Sequence, residues 1–231
     1  MKIKILGTRG EIKISAPHYL NHSGILLDGK IMLDLGEEEF LKENPQAIFI
    51  THLHPDHAFF IEEKVIFSSP IPIFAPEKNL YCPDIRVISK TQAVGAYQIT
   101  PIPTLHSKRV KSQAYLIQKG NQKILYTGDL IWIEKKYHPY LKNLDLVITE
   151  ASFLKKGGMV RRDKKTGEIF GHNGAPDLIH FFKRFTSRII FVHFGSWFYQ
   201  DIRKAKKELE RLGANAGIKV EVGEDGKEIK A

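Results

Sequence analysis

Apolar and polar positions along the chain fall into short extended runs punctuated by glycine and proline. Lys2–Leu6 alternates charged and apolar residues, the period of a half-buried strand. Gly24–Asp28 and Ile31–Asp34 are apolar runs on either side of Gly29-Lys30, which predicts a hairpin. Glu37–Asn44 predicts a short helix closed before Pro45, and Ala47–Thr51 a buried strand. Short strands are expected near Ile73 and Ile85, between proline-rich connections. Tyr97–Leu105 contains Pro101 and Pro103, which cannot donate to a ladder, so it is predicted as an edge strand. Ala114–Gln118 and Lys123–Tyr126 flank Gly120-Asn121 as a second hairpin, and Leu144–Thr149 is a further strand.

Helical periodicity appears late. Ala175–Phe185 and Tyr199–Leu212 carry it, with Ile202, Ala205, Leu209 and Leu212 on one face of the second. Arg188–His193 is a strand between these helices, and Ile218–Val222 is predicted as the last one. Strands dominate both halves and helices close each half. This is an α+β pattern in which two sheets face each other with helices outside. No linker, low-complexity tract or short-period repeat interrupts it, so residues 1–231 are expected to form a single domain.

Composition narrows the picture. The 231 residues suffice for a sizeable core, and 42 % apolar with 26 % charged residues is ordinary globular usage. No segment approaches the roughly 18 consecutive apolar residues of a membrane span. Arg9, Glu11 and Lys13 interrupt any N-terminal signal core, so a cytoplasmic location is expected. The single cysteine, Cys82, excludes a disulfide framework and a cysteine-rich zinc site. Any bound metal must therefore be held by nitrogen and oxygen. The net charge of +9 serves solubility and is also compatible with phosphate-bearing partners.

The candidate chemistry is concentrated in "IFITHLHPDHAFF", residues 48–60. It places His52, His54, Asp56 and His57 directly after an apolar strand. His52 and His54 can face one position and Asp56 and His57 a neighbouring one, giving two half-built metal sites that need partners from elsewhere. The same context, a polar group at the end of a strand, recurs at His106 in "TPIPTLHS", Asp129 in "KILYTGD" and His193 in "IIFVHFG".

These ordered motifs resemble those of the metallo-β-lactamase-fold hydrolases, over most of the chain from Lys2 to about Leu212. The resemblance implies a four-layer αββα sandwich with the site on loops at one edge. It implies that His52, His54 and His106 hold one divalent ion, that Asp56, His57 and His193 hold a second, and that Asp129 bridges them. Asp34, in "IMLDLG", would brace the metal loop by hydrogen bonds. A hydroxide bridging the two ions would be the nucleophile, oriented by Asp56. Zinc suits these ligands, and manganese or iron would be tolerated.

Within that superfamily the chain resembles the ribonuclease Z and phosphodiesterase branch. Asp129 stands where true β-lactamases of this fold usually carry Cys, and the third metal histidine lies in "LHS" rather than the Gly-His-Thr of glyoxalase-type thioesterases. Glu150, in "LVITEASF", and His172, in "GHNGA", match a Glu and a His of the ribonuclease Z pattern, implying a carboxylate-oriented His that assists the leaving group. There are departures. Thr149 replaces the His of a His-Glu pair, Asn173-Gly174 replaces Ser-Thr, and no tRNA-gripping arm is visible, which speaks against tRNA maturation. The basic stretch "KKGGMVRRDKKTGE", 155–168, lies between Glu150 and His172 and is a candidate phosphate contact or lid. The expected activity is thus a phosphodiesterase or nuclease-like hydrolase acting on a small phosphate-containing molecule or nucleic acid. Hydrolysis of a carboxylic ester, lactone or thioester, or a non-catalytic or redox role, are the alternatives. No membrane partner is expected, and the oligomer is left open, a homodimer included.

Overall fold

Sixteen strands form in the computed structural model, which describes residues 1–231. The first half supplies β1 (Lys2–Gly7), β2 (Gly24–Leu27), β3 (Ile31–Leu33), β4 (Ala47–Phe49), β5 (Ile73–Ala75) and β6 (Arg86–Val87). The second supplies β7 (Gln92–Val94), β8 (Tyr97–Pro103), β9 (Gln113–Lys119), β10 (Gln122–Tyr126), β11 (Leu146–Ala151), β12 (Met159–Arg162), β13 (Ile169–His172), β14 (Arg188–Phe194), β15 (Lys219–Val222) and β16 (Glu228–Lys230). Four α-helices accompany them: α1 (Phe59–Glu63), α2 (Ala175–Phe182), α3 (Ser196–Gln200) and α4 (Ile202–Ala216). One sheet runs β16-β1-β2-β3-β4-β5-β6 and the other β15-β14-β11-β10-β9-β8-β7, while β12 and β13 form a separate hairpin.

The strands read as nearly continuous apolar runs because both faces of each sheet are buried. Along β14, Ile190 and Val192 enter the core between the sheets, while Ile189 and Phe191 pack outward against the helices. Along β4 and the residue after it, Ala47 and Phe49 face inward and Ile48 and Ile50 outward. Three apolar layers result. The middle one joins the two sheets, one outer layer packs α2 and α4 on the second sheet, and the other packs Phe40, Phe59 and Phe60 on the first. This is the four-layer αββα sandwich of the metallo-β-lactamase fold.

Each sheet passes from antiparallel hairpins to parallel pairing: β3-β4-β5-β6 in one, and β10-β11 with β11-β14-β15 in the other. The C-terminal ends of these parallel strands carry the polar motifs.

Several elements differ from the sequence expectation. The strand with Pro101 and Pro103 is penultimate, because the short β7 pairs with Tyr97–Ile99. Its prolines lie beyond that pairing, with a neighbour only on the β9 side, so no donor is missed. The expected helix Tyr199–Leu212 is two helices. Asp201 is extended and caps α4 by accepting from the Lys204 amide at 2.9 Å. The strand at Lys219–Val222 is not the last: β16 follows and pairs antiparallel with β1. Its alternation of charged residues hides an edge strand. The basic stretch 155–168 lies in and around the β12/β13 hairpin.

Phe49 is buried, stacks on Phe74 with centroids 4.8 Å apart and meets Tyr115 edge-on at 5.4 Å. Phe49→Ala is expected to lower the unfolding free energy by about 3–5 kcal/mol, read from the urea midpoint, and Phe49→Leu by clearly less. A loss no larger than that of the exposed control Ile66→Ala would contradict the placement of Phe49 between the sheets.

Candidate metal centre

The ligand loop begins where β4 ends. A tight turn, with the His57 amide donating to the His54 carbonyl at 3.1 Å, folds His52, His54, Asp56 and His57 toward one point. Asp34, at the end of β3, holds this turn. Its fully buried carboxylate accepts from the Thr51 amide at 2.7 Å, the Thr51 hydroxyl at 3.0 Å, His57 Nδ1 at 2.7 Å and the Tyr126 hydroxyl at 2.7 Å.

Asp129 arrives from the other sheet, three residues beyond β10. Gly128 makes this possible. Its φ of 56° is the left-handed region, and a Cβ there would stand 2.5 Å from Thr51 Oγ1. His193 comes from β14, at a bulge where Glu150 pairs with Val192 but Ala151 with Phe194. Its φ of 51° turns the ring into the site instead of either core layer. His106 follows β8 and is fixed by the hairpin: Nδ1 donates to the Gly171 carbonyl at 2.9 Å, and the Gly171 amide donates to the His106 carbonyl at 2.7 Å.

The seven expected ligands meet in two groups. His52 Nε2 lies 3.1 Å from His54 Nδ1, which lies 3.3 Å from His106 Nε2. Asp129 Oδ2 is 3.5 Å from His52 Nε2 and 3.5 Å from His106 Nε2. The other oxygen, Oδ1, is 3.3 Å from both His57 Nε2 and His193 Nε2, and Asp56 Oδ2 is 2.8 Å from His193 Nε2. One carboxylate thus presents an oxygen to each of the two groups.

The donor set fits divalent metal. With Nδ1 committed to Gly171 in His106 and to Asp34 in His57, Nε2 is the atom each ring turns inward, free to bind metal once it carries no proton. His57 Nε2 and Asp129 Oδ1 are buried and have no hydrogen-bond partner. Such orphaned groups cost about 1–3 kcal/mol each, and a cation between them would satisfy both. The surrounding charge asks for one. Burial and then the neighbouring His57 hold His52 well below the ordinary imidazole range, and burial and His106 bring His54 down to about 4. Burial resists charge on His57 too, but Asp34 and Asp56 outweigh it and raise its pKa well above the usual value. Asp129 stays ionised despite burial, because His193 and His57 lower its pKa.

Beside these groups stands a third pair. His172 Nδ1 is 2.9 Å from Glu150 Oε2 and 3.0 Å from Oε1. Glu150 is fully buried and also accepts from the Leu130 amide at 2.6 Å. Burial opposes a charged His172, but Glu150 and then Asp129 outweigh it and push it up to about 9. His172, Asp56, Asp129, His54 and His193 all line one cleft of about 260 Å³, with Phe153 and Met159 among its other walls.

The remaining histidines stay outside the two groups. His22 pairs with Glu37 at 3.0 Å, His138 Nε2 donates to the Ile133 carbonyl at 2.9 Å, and His18 and His180 are exposed. Of the basic stretch 155–168, only Met159 lines the cleft; its Lys and Arg side chains do not. Thr51, Tyr126 and Ser152 were not legible as site residues. Ser152 Oγ lies 2.9 Å from His193 Nδ1 and orients that ring. The small polar residue directly after "TEA" is the only trace of it in the sequence.

Residues 37–194, more than half of the chain, match the family model described as the beta-lactamase superfamily domain. Among solved structures, the metallo-beta-lactamase fold protein YhfI from Bacillus subtilis is 18% identical with a TM-score of 0.71, covering 100% of this chain and 99% of that one. The short form of human tRNase Z is 20% identical with a TM-score of 0.65, over 100% and 99% of the two chains. An isothiocyanate hydrolase from Delia radicum gut bacteria is 16% identical with a TM-score of 0.64, again over 100% and 99%. No curated protein matches by sequence. At these identities the likeness is one of fold.

Saturating Zn²⁺ or Mn²⁺ is expected to raise the unfolding midpoint, by about 2.7 kcal/mol of added stability at a hundredfold excess over Kd. Asp129→Ala should lose most of this gain and lower the bound metal measured by elemental analysis. An undiminished metal content in that variant would refute the bridging geometry.

Proposed function

The chain belongs to the beta-lactamase superfamily, and from that premise we propose that it is a metal-dependent phosphodiesterase. The observation that carries the reading is the Glu150–His172 pair, a buried carboxylate orienting an imidazole at the cleft wall beside both ligand groups. His52, His54, His106 and Asp129 would hold one divalent ion, and Asp56, His57, His193 and Asp129 a second. Zinc suits this nitrogen and oxygen set, with manganese and iron also compatible. Bound there, the ions would supply Lewis acidity and acidify a water.

The chain's own residues account for the proton steps. Asp56 lines the cleft and is positioned to orient the attacking water and take its proton. Water oxygen forms the new bond to phosphorus, and the bond to the leaving alcohol's oxygen breaks. That oxygen takes up a proton as it leaves. His172 is the group to provide it: Glu150 holds Nδ1, and charge on the ring is favoured, so Nε2–H remains to donate. The products are a phosphomonoester and an alcohol. The basic side chains at 155–168 stand outside the cleft, where a nucleic acid extending beyond it would meet them.

A second reading has its own support. No Lys or Arg lines the cleft, so a carboxylic ester or thioester would be accommodated as readily as a phosphate. Isothiocyanate hydrolysis by a relative of the same fold illustrates that the scaffold is not tied to phosphorus.

Metal-loaded protein is expected to hydrolyse bis(p-nitrophenyl) phosphate in preference to p-nitrophenyl acetate; turnover of the acetate alone would select the second reading. His172→Ala should keep its metal and lose about 10²–10⁴-fold in rate on diesters with poor leaving groups, with a smaller loss on nitrophenyl diesters. Equal rates for variant and wild type on the poor leaving groups would remove His172 from the reaction.

A further inference from the structure

The chain carries 35 Lys and Arg residues, yet the cleft is lined by none of them. One charged residue at its mouth serves neither the metal groups nor the Glu150–His172 pair: Glu11, in the loop after β1. The loop is held firmly. The Gly10 amide donates to the Phe194 carbonyl at 3.2 Å, next to His193. Arg9 donates to the Leu20 carbonyl at 2.6 Å and to the Ile12 carbonyl at 2.5 Å, so its guanidinium is tied to the loop backbone and makes no ion pair with Glu11. Asp225 accepts from Thr8 Oγ1 at 2.8 Å and from the Leu20 and Asn21 amides at 2.6 and 2.9 Å. Glu11 itself makes no ion pair or side-chain hydrogen bond. It is exposed to solvent and lines the same cleft as Asp56 and Asp129, so its charge faces the cleft floor.

We propose that Glu11 is a charge filter: its carboxylate at the cleft mouth admits a monoanionic phosphodiester and disfavours the dianionic phosphomonoester that hydrolysis would leave behind. The choice of these two ligands rests on the phosphodiesterase reading. A diester carries one negative charge, whereas a monoester carries nearly two above its second ionisation near pH 6. The second charge gains further attraction from cations on the floor, so an enzyme of this kind would hold its product. Glu11 is exposed to solvent and its carboxylate is unpaired, so it repels the second charge with a strength that solvent and salt screen and that is greatest at low ionic strength. The apolar wall of Ile12, Phe153 and Met159 offers nothing to offset that repulsion and suits the organic arm of a diester. Glu11 thereby determines specificity and product release without taking part in bond making.

The test is equilibrium binding of ligands that cannot be hydrolysed. Zn²⁺-loaded wild type and Glu11→Gln are titrated at pH 8 and low ionic strength with the dianion phenylphosphonate and with the monoanion diphenylphosphinate in a calorimeter. In Glu11→Gln the affinity for phenylphosphonate is expected to rise about threefold more than the affinity for diphenylphosphinate. Glu11→Asp should keep the wild-type ratio, and raising the salt concentration should narrow the difference between wild type and Glu11→Gln. Equal shifts for both ligands, no shift for either, or no binding of either to loaded wild type would overturn the proposal. Failure to hydrolyse bis(p-nitrophenyl) phosphate would sink the phosphodiesterase reading and leave this readout intact, so the two can fail separately.

Discussion

The Asp34 carboxylate is the constraint on which the site depends. A fully buried charge is tolerated only when its lone pairs are satisfied, and here four donors do so: the Thr51 amide and hydroxyl, His57 Nδ1 and the Tyr126 hydroxyl. These donors come from both sheets. Thr51 and His57 follow β4 of the first, and Tyr126 ends β10 of the second. A single side chain therefore sets the ligand turn, the tautomer of His57 and the spacing of the sheets at the rim. Tyr126 also leads directly to Gly128 and Asp129, so the strand that braces the ligand turn of one sheet delivers the Asp129 carboxylate that faces both histidine groups.

Parallel pairing explains why so many ligands reach one rim. β4, β11 and β14 run the same way relative to their parallel neighbours, and their C-terminal ends leave the apolar layers. The motifs sit where a side chain no longer has to alternate between two cores. His193 is the exception, because it lies within a strand that pairs on both sides. A bulge and a left-handed φ of 51° release it from the alternation between Val192 and Phe194. Strain of this kind costs about 1–3 kcal/mol and persists only where the surroundings impose it. Ser152, bonded to the same ring, is one of the groups that do.

What was legible in the sequence follows from how local each cause is. The buried strands and both hairpins could be read because alternation and Gly-rich turns act over a few residues. His52, His54, Asp56 and His57 stood out because the ligands are contiguous, and His106, Asp129 and His193 because each ends an apolar run. Thr51, Tyr126 and Ser152 work through contacts across 17, 92 and 41 residues of chain, and nothing local distinguishes them from other strand residues. The break before α4 turned on one capping aspartate inside an otherwise unbroken helical pattern. The strand β16 carries no signature in the sequence because an edge paired to β1 needs no apolar alternation of its own. The basic stretch 155–168 is conspicuous for its charge, whereas the structure uses its frame: Gly171 of the same hairpin locks His106, and Met159 walls the cleft.

The charge balance of the site ties these observations together. Asp34, Asp56, Asp129 and Glu150 are all buried around one point, four carboxylates with no Lys or Arg among the cleft residues. Without metal, only the histidines can answer this charge, and His57, His172 and His193 are each raised toward the protonated form by those carboxylates against the effect of burial. Two dications would bring four positive charges and remove the reason for holding protons on the ligand rings. Protons and metal thus compete for the same lone pairs, with metal favoured as pH rises. The sign of the cleft follows from which of them wins. Proton-filled, it is a compensated acidic pocket; metal-filled, it would carry the positive sign of the chain as a whole, whose net charge is +9.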